Sequence, residues 1–267
     1  MRFDAHTHLF DSRVPLRGRR RYAPSYEASP TALLRHLDDH DIAGALLVQT
    51  SFAATPDPLF ATAQEYEGRF RVVVAPADID ELEAHWDEWV ARGAVGVRLN
   101  LLGRELPPLA SPRWRAAGER MAEAGVHLEV HAEGAQWGEL NESLLDWPAD
   151  LVIDHLGRPR AAGDLGPLAG AERTWFKVSG PYRWPDEGAA RMLLDDVIER
   201  TGGERLLWGS DWPHTQHESE VDYDAMVCFA QEGLPDVVAR AADANLQRLL
   251  GARAFPAGAV GSTETTE

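Results

Sequence analysis

Eight short apolar runs, separated by stretches with helical spacing, constrain the fold of this chain more than any other feature. The runs are rich in β-branched residues, and we interpret them as strands over residues 2–6, 43–50, 70–76, 95–100, 126–131, 151–155, 175–179 and 205–210. Eight alternations of strand and helix in 267 residues are typical of one parallel barrel. We therefore predict an α/β fold, a single (β/α)8 barrel over residues 1–254, with a mobile tail over residues 255–267.

Signals at helix ends support this alternation. Ser-Pro pairs at Ser29 and Ser111 precede two of the helical stretches, and Gly93 and Gly125 follow the last residues with helical spacing. A serine before a proline is a common helix start, and a glycine is a common helix end. These signals place the helices between the predicted strands.

Charge and composition exclude several classes of protein. The formal net charge is −17, and a field of that sign repels nucleic acid and anionic membranes, so we predict neither as a partner. We find no secretory signal and no apolar run long enough to span a membrane, so we expect a cytoplasmic enzyme. The sequence does not fix an oligomeric state. Lys177 is the only lysine, so every other basic residue is an arginine.

Polar residues able to do chemistry stand at the carboxyl ends of the predicted strands. His6 and His8 end the first strand with both side chains on one side of the chain, His131 ends the fifth, and His155 and Asp211 end the sixth and eighth. In a barrel, these strand ends form the active-site face. Three imidazoles and a carboxylate can bind a divalent metal such as zinc. The alternative is a metal-free site in which the histidines polarise the substrate carbonyl.

Four motifs in order, DAHTH, IDHLGRP, KVSGPYR and GSDWPH, resemble the amidohydrolase superfamily. More narrowly, they resemble the branch that contains 2-pyrone-4,6-dicarboxylate lactonase and related lactonases. The resemblance runs from Phe3 to about Leu250 and implies a distorted barrel that hydrolyses a small organic substrate. Dinuclear members carry a carboxylated lysine on strand four. Here that strand has none, which argues against two metal ions.

The resemblance also implies roles for the residues at the strand ends. By position in related metal-dependent decarboxylases, His6, His8, His131 and Asp211 would bind one metal ion, with zinc the first choice. His155 would then be free for catalysis. The pyrone-dicarboxylate lactonase works without a metal, so the metal-free alternative stays open.

Arginines near the same strand ends indicate an anionic substrate. They are Arg98, Arg104, Arg158 and Arg183. A guanidinium can donate two parallel hydrogen bonds to a carboxylate, so we expect these side chains to bind a small anionic organic molecule. The alternative is that each is paired with a nearby acid.

Four further residues complete the predicted substrate site: Tyr22, Ser51, Tyr182 and His214. Tyr22 lies in the basic loop after the first strand and could close over the substrate, or serve only solubility. Ser51 could hydrogen-bond a substrate oxygen or be a turn residue. Tyr182 and His214 belong to the KVSGPYR and GSDWPH motifs.

The predicted reaction follows from the side chains available. No serine or cysteine is activated as a nucleophile, so water attacks and Asp211 is the candidate general base. We predict a hydrolase that opens a small carboxylated lactone resembling 2-pyrone-4,6-dicarboxylate. The alternatives are a mononuclear metal-dependent decarboxylase of an aromatic or dienoic acid, and a sugar-acid lactonase. A binding protein without activity would lack the catalytic positions, which are present here.

Overall fold

The computed structural model describes residues 2–161 and 163–256, in which eight parallel strands form one sheet. The strands are β1 (Phe3–Thr7), β2 (Gly44–Val48), β3 (Phe70–Val74), β4 (Ala94–Asn100), β5 (His127–His131), β6 (Leu151–Ile153), β7 (Thr174–Ser179) and β8 (Leu206–Gly209). Each pairs with the next along the chain. Two backbone hydrogen bonds of 2.8 Å, from Asp211 N to His6 O and from His8 N to Trp212 O, join the two ends of the sheet. The predicted barrel and all eight strands are confirmed.

Helices surround the barrel with one irregularity. They are α1 (Pro30–Asp39), α2 (Asp57–Glu65), α3 (Ile79–Ala91), α4 (Pro112–Ala124), α5 (Gln136–Leu145), α6 (Glu187–Thr201), α7 (Tyr223–Cys228) and α8 (Asp236–Leu250). Short 3₁₀ turns, instead of an α-helix, connect β6 to β7, and two helices follow β8. The barrel is therefore distorted, as the sequence resemblance implies. In the described ranges we find no helix with the length and apolarity that crossing a membrane requires.

The helix ends follow the predicted signals. The Ser29 hydroxyl accepts a hydrogen bond from Ala32 N at 3.2 Å, which caps α1. Helix α4 begins at Pro112 and ends against Gly125, whose φ of +62° is the left-handed conformation that glycine adopts without strain. These caps confirm the predicted starts and stops.

The barrel interior changes character along its axis. At the amino ends of the strands, apolar side chains such as Leu46, Val73 and Trp175 form a buried cluster that α8 covers. On β7, side chains two positions apart share a face. Trp175, Lys177 and Ser179 therefore follow one another on the same face, from the amino end of the strand to its carboxyl end. The lower half of the barrel is thus an apolar core, and the upper half holds polar groups that form the candidate site.

The predicted tail begins with a residue that belongs to this core. Phe255 is 4% exposed, and its ring stacks on Phe3 with the ring centroids 4.6 Å apart. The Arg71 guanidinium covers the same ring at 4.9 Å. Phe255 therefore closes the bottom of the barrel, while residues 257–267 of the predicted tail lie outside the described residues.

Replacing Phe255 with alanine tests this closure. We expect the free energy of unfolding to fall by about 3 kcal/mol, because the change removes a buried ring and leaves a cavity. Urea denaturation measures the difference, and Met192→Ala, at a side chain 63% exposed, is the matched control. A Phe255→Ala variant as stable as the control would show that the ring does not close the barrel.

Candidate active site

The carboxyl ends of the strands open into a cavity of about 440 Å³. Nine of the predicted site residues line it: His8, Tyr22, Ser51, Arg98, His131, His155, Arg158, Arg183 and Asp211. The convergence follows from the fold, because parallel strands of a barrel end at one face. A larger hollow of about 800 Å³, lined by Phe60, Arg71 and Arg253 among others, contains none of the predicted residues.

Asp211 follows β8 and is held through one carboxylate oxygen. Oδ2 accepts hydrogen bonds from the Tyr182 hydroxyl at 2.7 Å and from Arg183 Nε. Oδ1 faces the Nε2 atoms of His6 and His8, at 3.7 and 3.6 Å. Burial raises the pKa of Asp211, but the charge of Arg183 outweighs it with help from neighbouring imidazoles, so the pKa lies well below its usual value. Asp211 is an ionised carboxylate with Oδ1 free of strong partners.

Gly180 makes room for this carboxylate. It follows β7 with a φ of +52°, which disfavours any other residue. A Cβ atom here would lie 3.0 Å from Asp211 Oδ2 and 3.2 Å from His155 Nδ1. The glycine of the KVSGPYR motif therefore lets the backbone pass close to two predicted catalytic groups.

Four imidazoles form a row across the floor of the cavity. The ring centroids of His8 and His6, of His6 and His155, and of His155 and His131 are 4.9, 4.9 and 4.8 Å apart. Burial keeps the pKa of His131 and of His155 well below its usual value, and lowers that of His6 to about 4. These three rings are neutral near pH 7.

Beneath this row, four charged side chains pair inside the barrel. They are Arg98, Glu129, Asp154 and Lys177, none more than 3% exposed. Lys177 Nζ lies 2.5 Å from Glu129 Oε1 and 3.4 Å from Asp154 Oδ1, and Arg98 Nε donates to Asp154 Oδ2 at 2.7 Å. Burial raises the pKa of both carboxyl groups, but Lys177 holds the pKa of Glu129 below its usual value, and Arg98 together with Lys177 holds that of Asp154 well below it. We call these four residues the buried charge cluster.

Sequence reasoning missed part of this cluster. It singled out neither Glu129 nor Lys177 for the site. A signal was present, because both stand inside otherwise apolar strands, at positions that share a face with His131 on β5 and with Ser179 on β7. A charge at such a position must be paired or lie next to a functional group.

The cluster fixes which ring nitrogens can bind a metal ion. Lys177 Nζ lies 3.0 Å from His6 Nδ1, and Arg98 Nη2 lies 3.0 Å from His131 Nδ1. Ammonium and guanidinium groups donate hydrogen bonds and cannot accept them. Each Nδ1 therefore uses its lone pair as the acceptor, and the proton of each neutral ring lies on Nε2. His8 is the reverse, since its Nδ1 donates to Val48 O at 2.7 Å and leaves a lone pair on Nε2.

This pattern decides the fit of the predicted metal ligands. Buried histidines and acids with ligand atoms within 4.8 Å can hold an ion, and His6, His155 and Asp211 form such a group. The predicted set of His6, His8, His131 and Asp211 is not among the groups found in the described part of the chain. Two of its three imidazoles also present an N–H where a metal needs a lone pair. The four residues do not fit a metal ion in this arrangement.

Three of the four predicted substrate arginines already have an acidic partner. The pairs are Arg98 with Asp154, Arg158 with Glu133, and Arg183 with Asp211. All three also line the cavity. Pairing with an acid and contact with a substrate are therefore compatible here.

Arg104 and Arg21 differ from these three. Neither has an acidic partner within 4.0 Å in residues 2–161 and 163–256, and Arg21 lines the cavity beside Tyr22. Burial and the charges of Arg104, Arg158 and Arg98 lower the pKa of Arg21. Because neighbouring cations act on it in this way, the mouth of the cavity is a place where a bound anion would be stabilised.

Four of the predicted residues lie outside the lining: His6, Tyr182, His214 and Arg104. His6 forms the floor with no exposed surface, and Tyr182 contacts Asp211 rather than the cavity. His214 is 3% exposed beside the Tyr182 ring, and Arg104 is absent from the lining but close enough for its charge to lower the pKa of Arg21. Ser51 and Tyr22 do line the cavity, where the Tyr22 hydroxyl donates to Glu218 at 3.3 Å.

Comparison with known proteins gives one family match. The family model described as amidohydrolase matches residues 3–251. A protein of Acinetobacter baumannii assigned as a 2-pyrone-4,6-dicarboxylic acid hydrolase, solved with citric acid bound, superimposes with a TM-score of 0.82. It is 31% identical, over 94% of this chain and 100% of that one. A Pseudomonas putida protein with the same assignment is 36% identical, with a TM-score of 0.79, over 93% and 97% of the two chains.

More distant relatives carry less weight. The 2-pyrone-4,6-dicarboxylate hydrolase of Comamonas testosteroni is 24% identical over 246 residues, which cover 84% of this chain and 80% of the relative. An amidohydrolase solved with zinc and a 2,6-dihydroxybenzoate decarboxylase are 19% and 17% identical. Likeness at those two levels shows only that the fold is shared.

The buried neutral histidines predict that stability depends on pH. Burial lowers the pKa of His6 and of His214 to about 4, whereas the unfolded chain protonates near 6.5. Each such histidine therefore stabilises the fold above pH 6.5, and this contribution is lost as pH falls toward 4, by up to about 1.4 kcal/mol per pH unit. Burial raises the pKa of Asp4 to about 6. This one carboxyl group therefore makes the free energy of unfolding rise as pH falls, and it opposes the effect of the histidines.

Urea denaturation at pH 7.5, 6.0 and 5.0 checks this expectation. The free energy of unfolding should fall with pH, and less steeply in His214→Asn than in the native protein. His85→Asn, at a solvent-exposed ring, is the control and should leave the slope unchanged. Equal slopes for native protein and His214→Asn would contradict the neutral, buried state of His214.

Proposed function

Because this chain belongs to the amidohydrolase family, and within it to the branch of the 2-pyrone-4,6-dicarboxylic acid hydrolases, we propose that it hydrolyses a small lactone carrying carboxylates. The observation that carries the proposal is one cavity in which the free Oδ1 of Asp211 lies among imidazoles and arginines. The imidazoles and Asp211 supply acid–base chemistry, and the arginines supply recognition of an anion.

Two acceptors in the cavity suit an attacking water. Asp211 Oδ1 and His8 Nε2 face each other at 3.6 Å, and both offer lone pairs. A water donating one hydrogen to each would be oriented, and Asp211 would take its proton as the water attacks the lactone carbonyl. Ser179 contacts His155 at 3.0 Å but is 1% exposed and does not line the cavity, so it is not placed to attack.

Two donors suit the carbonyl oxygen of the substrate. The Nε2–H groups of His6 and His131 have no partner in the described structure, and both are buried. Donors aimed at the oxygen that becomes negative stabilise the tetrahedral intermediate, and one such donor is worth about 3 kcal/mol in a dry site. We assign this role to His131, which lines the cavity, and to His6 on its floor. The neutral His155 ring would then donate a hydrogen bond to the leaving ring oxygen, and the proton that Asp211 received from water would pass to that oxygen as the C–O bond breaks.

The substrate's carboxylates would be held at the cavity mouth. Arg158 and Arg183 reach the cavity from the loops after β6 and β7, and Arg21 reaches it from the loop after β1. The charge of Arg104 acts on Arg21 and adds to the positive potential around it. A sugar-acid lactonase would need more hydroxyl-binding groups and fewer arginines. Four arginines line the cavity alongside the hydroxyl-bearing side chains of Tyr22, Thr50, Ser51 and Thr215, and this large share of guanidinium groups favours a carboxylated substrate.

The decarboxylase alternative depends on a metal ion. In this family that reaction requires the ion, and the proposed donor pattern of His6 and His131 opposes one. We therefore favour the metal-free hydrolase over both the zinc-dependent hydrolase and the decarboxylase.

Asp211→Asn tests the general base. An amide cannot take the proton from water, so we expect kcat on 2-pyrone-4,6-dicarboxylate to fall by about 10²- to 10⁴-fold. Asp196→Asn, at a surface residue paired with Arg200, is the matched control and should keep native kcat. Thermal melts of both variants establish that they are folded. Near-native turnover by a folded Asp211→Asn variant would remove Asp211 from this role.

Elemental analysis combined with chelation tests the metal-free site. We expect far less than one equivalent of zinc, manganese or cobalt in the purified protein, and unchanged lactone hydrolysis after EDTA treatment and gel filtration. The native protein supplemented with zinc is the control and should gain no activity. One equivalent of metal, with hydrolysis lost on chelation and restored by that metal, would establish the zinc-type mechanism instead.

A further inference from the structure

We propose that Lys177 is a positioning residue that holds His6 in the tautomer with its proton on Nε2. The inference rests on the proposed hydrolysis, because that reaction gives the Nε2 proton of His6 its role. In this tautomer His6 donates toward the substrate carbonyl and cannot bind a metal ion through Nε2. Lys177 is buried and does not line the cavity, so it acts only through the histidine.

The contacts around Lys177 fix which atom donates each hydrogen bond and which atom accepts it. Its Nζ atom is fully buried, with Glu129 Oε1 at 2.5 Å and Asp154 Oδ1 at 3.4 Å. The ammonium group of the lysine pairs with these two carboxylates, as a buried charge requires. An ammonium group has three N–H donors and no lone pair. The contact to His6 Nδ1 at 3.0 Å is therefore a donation from lysine to histidine.

A competing contact would require the opposite tautomer. His6 Nδ1 also lies 3.4 Å from Asp154 Oδ1, to which an Nδ1 proton could be donated. That oxygen makes no hydrogen bond in the described structure, and the lysine contact is 0.4 Å shorter. Asp154 is instead bound through Oδ2 by Arg98. The lysine contact therefore decides the tautomer.

Glu129 holds the Lys177 side chain in place. Its Oε1 atom also lies 3.1 Å from His127 Nε2, so this oxygen is held between two partners. Glu129 and His127 belong to β5, Lys177 to β7, and His6 to β1, so three strands of the barrel fix one proton. This arrangement explains why the only lysine of the chain is buried at its centre.

The first measurement uses the native protein and needs no substrate. Long-range proton–nitrogen NMR spectra of histidine-labelled protein distinguish Nδ1–H from Nε2–H rings, and His6→Asn assigns the signal. We expect Nε2–H for His6 and Nδ1–H for His8, which serves as the internal control. An Nδ1–H signal for His6 would overturn the inference whether or not the protein hydrolyses lactones.

The second measurement removes the lysine without leaving an unpaired charge. Lys177→Met/Glu129→Gln deletes one cation and one anion, so the remaining Arg98 and Asp154 still balance. We expect His6 to lose its fixed tautomer, kcat to fall at least tenfold with KM within threefold, and zinc affinity to rise by about 10- to 100-fold. Lys177→Arg, which keeps a cationic donor, should keep the Nε2–H signal and show no gain in zinc affinity.

The outcomes separate this inference from the proposed function. A native protein inactive on carboxylated lactones, but with an Nε2–H signal for His6, would refute the hydrolysis and leave the tautomer assignment standing. A folded double variant with native kcat and native zinc affinity would refute the positioning role. If the double variant does not fold, the native spectrum and Lys177→Arg decide, because an Nδ1–H signal in either one contradicts the proposal.

Discussion

The rest of the structure depends on the pairing of four charges inside the barrel. Lys177 and Arg98 face Glu129 and Asp154 in the barrel interior, where all four side chains are buried from solvent. Removing one partner from such a pair costs about 3–5 kcal/mol, because a buried charge is left alone. The cluster links β4, β5, β7 and the turn after β6, so these elements must close correctly for the charges to meet. Closure of the barrel therefore also fixes the tautomers of His6 and His131 above the cluster.

The partner of Nδ1 decides whether the Nε2 atom of each histidine is a hydrogen-bond donor or an acceptor. Where a cation contacts Nδ1, as in His6 and His131, the opposite nitrogen becomes a donor. Where a backbone carbonyl contacts Nδ1, as in His8, the opposite nitrogen becomes an acceptor. One residue type thus provides donors for a developing oxyanion and, with Asp211, acceptors for a water, and the difference comes from partners that never touch a substrate.

The sequence allowed prediction of the barrel and of the residues that meet at its mouth, because both follow from local patterns. Strand runs and helix caps repeat along the chain, and parallel strands bring their carboxyl ends together whatever their loops do. The partners of those residues could not be predicted. Arg98 meets Asp154 across 56 positions of sequence, and Phe255 meets Phe3 from near the opposite end of the chain, so both contacts depend on register and closure. Pairing of an arginine with an acid was foreseen as an alternative, but the particular acids were not.

The burial of Lys177 also has a practical meaning for handling the protein. The side chain has no solvent-accessible surface, and the chain contains no other lysine. Reagents that acylate amines, including common fluorophore esters and aldehyde cross-linkers, therefore find no lysine on the folded surface. Modification at this position would mark molecules whose barrel has opened, which makes this single lysine a built-in reporter of unfolding and a poor handle for immobilisation.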